Sequence, residues 1–355
     1  MTSSLATRAA EPESGAGESC ADVARRVGSV VPTLREVLSA PLSASASSST
    51  ADAFVVTGVG GSEGPARLLV SALGHAGRVA RFVPLSAFVA GSFSSAASRG
   101  RSREAVCVFS QGLSPNASVA LERAASFHEA FLFTSLAERA PALSAFVGAG
   151  GRVISLPPAQ ESGSLLRIVG PAAAMLAAAL FASAAPSVEP RSIADSLEVT
   201  AASARSLARS LAPLRLLAPL AFVTSGDNEA LAEGLAIKWI EGLARPCPPT
   251  WDALAFAHGP FHAFYTEPLL LVAVGPPSPL FGRLGELLVS ERHSLLHLET
   301  SLPFPYARLE LEVAMNELFL AAFEASPRDL FTWPSKGKDG ALYGIASALP
   351  EAIDR

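Results

Sequence analysis

From Ala53 onward, short apolar runs alternate with stretches of helical periodicity. Phe54–Val59 has strand length and ends in glycines, and Pro65–Leu73 after it repeats its apolar positions at helical spacing. Val79–Val83 and Ala105–Phe109 read as further strands, followed by a helix over Asn116–Ala125. Phe131–Thr134 and Val153–Leu156 read as two more strands. Such alternation predicts an α/β protein whose parallel sheet is covered on both faces, which is why its strands are apolar almost throughout. After a Pro/Ser-rich break at Ser183–Asp195, a helix is predicted over Ile193–Leu211 and the alternation restarts. The second series is strand Leu220–Thr224, helix Glu229–Leu243, strand Leu269–Val274, helix Pro279–Val289, strand Leu295–Leu298 and helix Tyr306–Ala325. Each half opens with a strand, a small-residue turn (TGVGGSEG or TSGDNEA) and a helix, which predicts a pseudo-symmetric pair of domains. Ahead of them, residues 1–50 are rich in Ala and Ser. Only Cys20–Leu38 carries helical spacing there, through Val23, Val27, Val31, Leu34 and Val37; the rest reads as a disordered lead and a linker.

A length of 355 residues fits two domains. The balance of 27 basic and 32 acidic residues, net −5, leaves no basic stripe for nucleic acid. With half the residues apolar and 17% charged, a membrane span has to be tested. Ile168–Ala185 is long enough, but it is built from Ala, has Pro171 near its start and lacks an aromatic belt. It therefore reads as a buried helix. The N-terminus has no apolar signal core, so the expected compartment is the cytoplasm. Cys20, Cys107 and Cys247 have no CxxC spacing, which argues against a disulfide framework or a structural metal site.

A strand, a glycine turn and a helix N-terminus together form an anion site, because free backbone N–H groups and the helix dipole meet there. Gly58–Gly64 fails as a dinucleotide fingerprint: Glu63 stands at the third glycine, and no Asp or Glu occurs between Glu63 and Glu104 to hold a ribose. No organic cofactor is expected. Ser62 in this turn, and Ser110, Gln111 and Ser114 after the third strand, lie at strand C-termini that converge on one crevice. Hydroxyls there suit a phosphate or sugar, but serines also cap helices. Spacing alone leaves both readings open.

The motifs resemble the tandem sugar-isomerase (SIS) domain family, as in the isomerase half of glucosamine-6-phosphate synthase. VTGVGGSEGPA is similar to the family's first turn, bringing in Gly61 and Ser62, and FSQGLSPNAS to its Ser-Gln-Ser-Gly phosphate loop. GDNEALAEGLAIKWIEGL matches the long helix of the second domain without a gap, and AFAHGPFHAFYTEPLLLVAV resembles the His-Gly-Pro segment and the strand after it. The resemblance covers about residues 51–335. It implies two doubly wound, flavodoxin-like parallel-sheet SIS domains over 51–190 and 191–335, with a helical lead over 1–50 and a tail over 336–355 near the site. It also implies a phosphosugar aldose–ketose isomerase or deaminase-type enzyme working through an ene-diol, with no cofactor. Glu241 matches the C1/C2 base and His258 the ring-opening histidine, which in this family reaches the neighbouring subunit's site and so implies a homodimer. Lys238, three residues before Glu241, is placed to tune it or to bind substrate oxygen.

Several family features are replaced. The phosphate loop is one residue short. LPPAQESGSLLRIVG stands where Ser-Thr-Lys is usual, with Arg167 as a substitute anion ligand. Ala255 replaces the acidic residue before His-Gly-Pro, and Lys336 is the tail's substitute lysine. These changes imply a substrate other than glucosamine 6-phosphate. The competing readings are a SIS protein that binds a sugar phosphate without turning it over, and a SIS scaffold recruited to other carbonyl chemistry.

Overall fold

The computed structural model describes residues 15–90, 103–137, 139–161, 163–183, 188–228, 232, 234–333, 335–338 and 340. Among them, nine strands form two all-parallel sheets. The first has the order β2-β1-β3-β4-β5, with β1 Ala53–Thr57, β2 Val79–Phe82, β3 Glu104–Phe109, β4 Glu129–Thr134 and β5 Arg152–Ser155. The second has the order β7-β6-β8-β9, with β6 Leu220–Thr224, β7 Thr250–Asp252, β8 Leu269–Val274 and β9 His293–Leu298. It repeats the first without a fifth strand. The order reverses between β1 and β3, and between β6 and β8, opening a crevice beyond the strands' C-terminal ends.

Period-two burial feeds two cores per sheet. In β3, Ala105, Cys107 and Phe109 face one core and Val106 and Val108 the other. In β8, Leu270, Val272 and Val274 face one and Leu269, Leu271 and Ala273 the other. The helices are α1 Ala16–Ser39, α2 Glu63–His75, α3 Leu85–Ala90, α4 Pro115–Ala124, α5 Ser144–Gly148, α6 Val169–Ala182 and α7 Pro190–Ser210. After them come α8 Pro213–Leu216, α9 Ile237–Leu243, α10 Ala253–Ala257, α11 Pro260–Phe264, α12 Pro279–Leu287 and α13 Ala307–Ala325. Helices α3, α4 and α5 cover the outer face of the first sheet, and α10 and α12 that of the second.

Between the sheets lie α1, α6, α7 and α13. Thirteen of the 14 residues of α6 are buried. Ala174, Ala177, Ala178 and Phe181 join the first sheet's core, while Ala172, Ala173, Leu176 and Ala179 join the helical layer. A helix apolar on every side is a buried one, and its small alanines let neighbours approach on all sides. No described helix is long and apolar enough to cross a membrane.

The helix expected over Cys20–Leu38 is present as α1, with Val23, Val27, Val30, Leu34 and Val37 buried in the central helical layer. Two sequence expectations change. Residues 40–50, expected as linker, are tied to the first sheet. Ser43 Oγ donates to the Val153 carbonyl at 2.7 Å, the Thr50 amide to Glu129 at 2.7 Å, and Arg78 to the carbonyls of Ala46 and Ala51. Residues 1–14 of the expected lead lie outside the described residues. Finally, the helix expected over Glu229–Leu243 is α9, which starts only at Ile237. Gly234 holds φ at 76°, and a Cβ there would stand 2.9 Å from Gly64 Cα, so the chain turns where the two halves touch. Residues 229–231 and 233 of that expectation are outside the described set.

Candidate functional site

The site builds outward from the C-terminal ends of β1 and β3. Ser62 immediately precedes α2, and its hydroxyl makes no capping bond. After β3, the buried Ser110 donates its N–H to the Phe133 carbonyl at 3.0 Å. The Gln111 carbonyl accepts from Thr134 Oγ1 at 3.0 Å and from the Ser135 amide at 3.2 Å. So pinned to β4, the turn lays the Gln111 amide against the start of α6: a Cβ on Gly170 would stand 2.3 Å from it. Gly61 packs on Arg167 and Pro171; a Cβ there would lie 3.5 Å from Arg167 Cβ. Ser114 Oγ accepts from the Ala117 amide at 3.3 Å, so it caps α4.

Sequence reasoning passed over Glu161. Its buried carboxylate accepts from the amides of Ile168, Val169 and Gly170 at 2.7, 2.8 and 3.0 Å. An internal anion therefore already occupies the N-terminal amides of α6. An incoming anion is left with the β1 and β3 turns. Also missed were Thr57 Oγ1, Ser135 Oγ and Ser164 Oγ, buried hydroxyls with no hydrogen-bond partner among the described residues. The available signal was position: Thr57 and Ser135 stand at the C-terminal ends of β1 and β4.

Helix α9 brings in the second half. Glu241 has a buried Oε2 without a hydrogen-bond partner. Burial pushes its carboxyl up to about 7, against the opposing pull of Lys238 and then Arg167. Lys238 itself is buried, and its ammonium donates to Glu312 on α13. Glu312 also accepts from Arg308 Nη1 at 3.2 Å. These two cations hold the Glu312 carboxyl below the usual range despite its burial.

Gly61, Gln111, Arg167 and Glu241 are thus brought to one region. His258 is not among them: it closes α10, its amide donating to the Ala255 carbonyl at 3.2 Å, and its exposed imidazole makes no hydrogen bond among the described residues. Lys336 Nζ donates to the Phe331 carbonyl at 2.5 Å and lies 5.0 Å above the Trp333 ring. A cavity of about 230 Å³ lies between the halves, with Gly61 and Arg67 on one side and Ile237, Lys238 and Ile240 on the other. A larger one, about 430 Å³, lies between α4 and α5 near His128 and Glu129, at the amino end of β4 and away from this edge. Among the described residues, no group of three His, Cys, Asp or Glu is placed to hold a metal ion.

No family model matches the chain, and no curated protein does. Among solved structures it is similar to the C-terminal domain of glucosamine-fructose-6-phosphate aminotransferase from Francisella tularensis, with a TM-score of 0.66 at 12% identity over 85% of this chain and 95% of that one. It is similar to glucosamine-6-phosphate deaminase from Thermotoga maritima, at 0.65 and 13% over 87% and 96%. A third is tagatose-6-phosphate ketose/aldose isomerase from Escherichia coli, at 0.60 and 16% over 89% and 92%. What the chain shares with them is the architecture, two tandem flavodoxin-like parallel sheets around a helical layer, which is the fold of the SIS-domain phosphosugar isomerases.

Proposed function

We propose that this protein is a phosphosugar aldose–ketose isomerase or deaminase-type enzyme in which Glu241 is the proton-transfer base. The observation that carries this reading is the Glu241 carboxyl: buried, one oxygen unpaired, and titrating near 7. A base tuned close to working pH is what abstraction of a proton beside a carbonyl requires. Glu241 takes the proton from C2 of the open-chain aldose and returns it to C1, while the O2 hydroxyl proton passes to O1 through the ene-diol, leaving the carbonyl at C2. Arg167, close enough to pull on Glu241, is placed to stabilise negative charge developing on the substrate oxygen. The turns carrying Gly61, Ser62, Ser110 and Gln111 hold the substrate's anionic or hydroxyl end. His258 opens the sugar ring from the partner subunit of a homodimer, which fits the exposed position of its imidazole in this chain.

The test is incubation with a panel of sugar phosphates in deuterated water, following loss of the C2 proton signal by NMR. Exchange is expected with at least one ligand, and Glu241→Gln is expected to slow it roughly 10²–10⁴-fold. A ligand that binds without exchange would support the second reading, a non-catalytic sugar-phosphate-binding protein. That reading is favoured by the commitment of Ser114 to capping α4 and of Lys238 to Glu312.

A further inference from the structure

Lys238 and Glu241 stand three residues apart on α9, the spacing at which a helix pairs a lysine with a glutamate. The Lys238 ammonium goes instead to Glu312, on a different helix and 74 residues away in the chain. Glu312 is fully buried and receives a second cation, Arg308, while Lys238 and Arg308 are each 1% exposed. The cluster is thus one carboxylate held between two cations, beside a Glu241 oxygen with no partner.

We propose that Glu312 is a positioning residue for the base: it holds the Lys238 charge away from Glu241, so that the Glu241 carboxylate remains a strong proton acceptor. The inference rests on Glu241 being the base. A carboxylate in direct contact with a buried ammonium is stabilised as the anion and accepts a proton poorly. The charged groups that act on Glu241 are Lys238 on its own helix and Arg167 from the loop before α6. Behind Lys238 stand Glu312 and Arg308 on α13. Arg167 does not depend on Glu312, so the partner of Lys238 is the variable that Glu312 controls.

The experiment needs no substrate, so its failure is separate from failure of the isomerase reading. The full-length protein is labelled with ¹³C at glutamate carboxyls, and the Glu241 signal is assigned by its loss in Glu241→Gln. In Glu312→Gln, the Glu241 titration midpoint is expected to fall by about 1 pH unit or more. Glu312→Asp, which keeps the charge, is expected to restore it. A midpoint that stays or rises in Glu312→Gln overturns the proposal. Should that variant not fold, Lys238→Met leaves Glu312 paired with Arg308 and gives the independent reading. A change of less than about one pH unit, the residual pull of an ammonium held on Glu312, supports the proposal, and a rise of about one unit or more places Lys238 on Glu241 and overturns it.

Discussion

A carboxyl that stays protonated to about pH 7 inside the fold makes stability depend on pH. In the unfolded chain Glu241 loses its proton near 4.5; in the fold it keeps the proton to about 7. Between those values the folded state binds a proton that the unfolded state lacks, so stability falls as pH rises through this window and stays lower above it. At 1.36 kcal/mol per unit of difference, the effect is roughly 3 kcal/mol. Glu241→Gln removes the titration. The variant's thermal midpoint should therefore gain on the wild type's between about pH 4 and about pH 8, in the window set by these two values. A constant offset between the two proteins across that range would show that Glu241 titrates like an exposed carboxylate. On the proposed reading, base strength and stability are opposed at this residue, as is common where a buried group serves chemistry.

At the scale of elements, the start of α9 decides where Lys238 and Glu241 stand, and Gly234 decides the start of α9. Its φ of 76° is strained for any side chain, and a Cβ there would press on the backbone of Gly64 rather than on a flexible side chain. Gly234→Ala should cost about 2 kcal/mol, lower the thermal midpoint by several degrees, and reduce C2 exchange further than the lost stability explains. A variant that melts and exchanges like wild type would show that the two halves relax apart without moving α9. The sequence carried the glycine but not this contact. It did carry β6 and β8, whose apolar runs coincide with the strands because both faces are buried. Strand β7 was illegible, being three residues long behind Pro248 and Pro249. So was the role of α13, where Arg308, Glu310, Glu312, Asn316 and Glu317 are buried alongside apolar residues and erase any amphipathic stripe. The same limit hid the Lys238–Glu312 pair: local spacing pointed to Glu241, and only the packing of α9 on α13 redirects the ammonium. Motif resemblance supplied Gly61, Gln111 and Glu241, but not Glu161, whose role depends on folding back onto the amides of α6.

For the whole molecule, the proposed isomerase requires His258 and Glu241 to meet at one substrate. Glu241 is half-buried on α9 with its Oε2 enclosed, and His258 is exposed at the end of α10, with no hydrogen bond joining them among the described residues. On the proposed reading a two-fold homodimer meets this requirement, because an isologous interface lets each protomer lend its exposed residue to the other's crevice. Sedimentation should then show a dimer, and two inactive variants should complement each other. Glu241→Gln lacks the base in its own crevice, while His258→Ala lacks the group it lends to its partner. In a mixed dimer one crevice has lost both groups and the other retains both. After free subunit exchange at equal amounts, half the dimers are mixed, so about a quarter of all crevices should be intact. Isomerisation of a ring-closed sugar phosphate should recover to about that fraction of the wild-type rate. If His258 instead acted within its own chain, every crevice in the mixture would lack one group. Mixing would then recover nothing, however complete the exchange, and the shared-site arrangement would be ruled out.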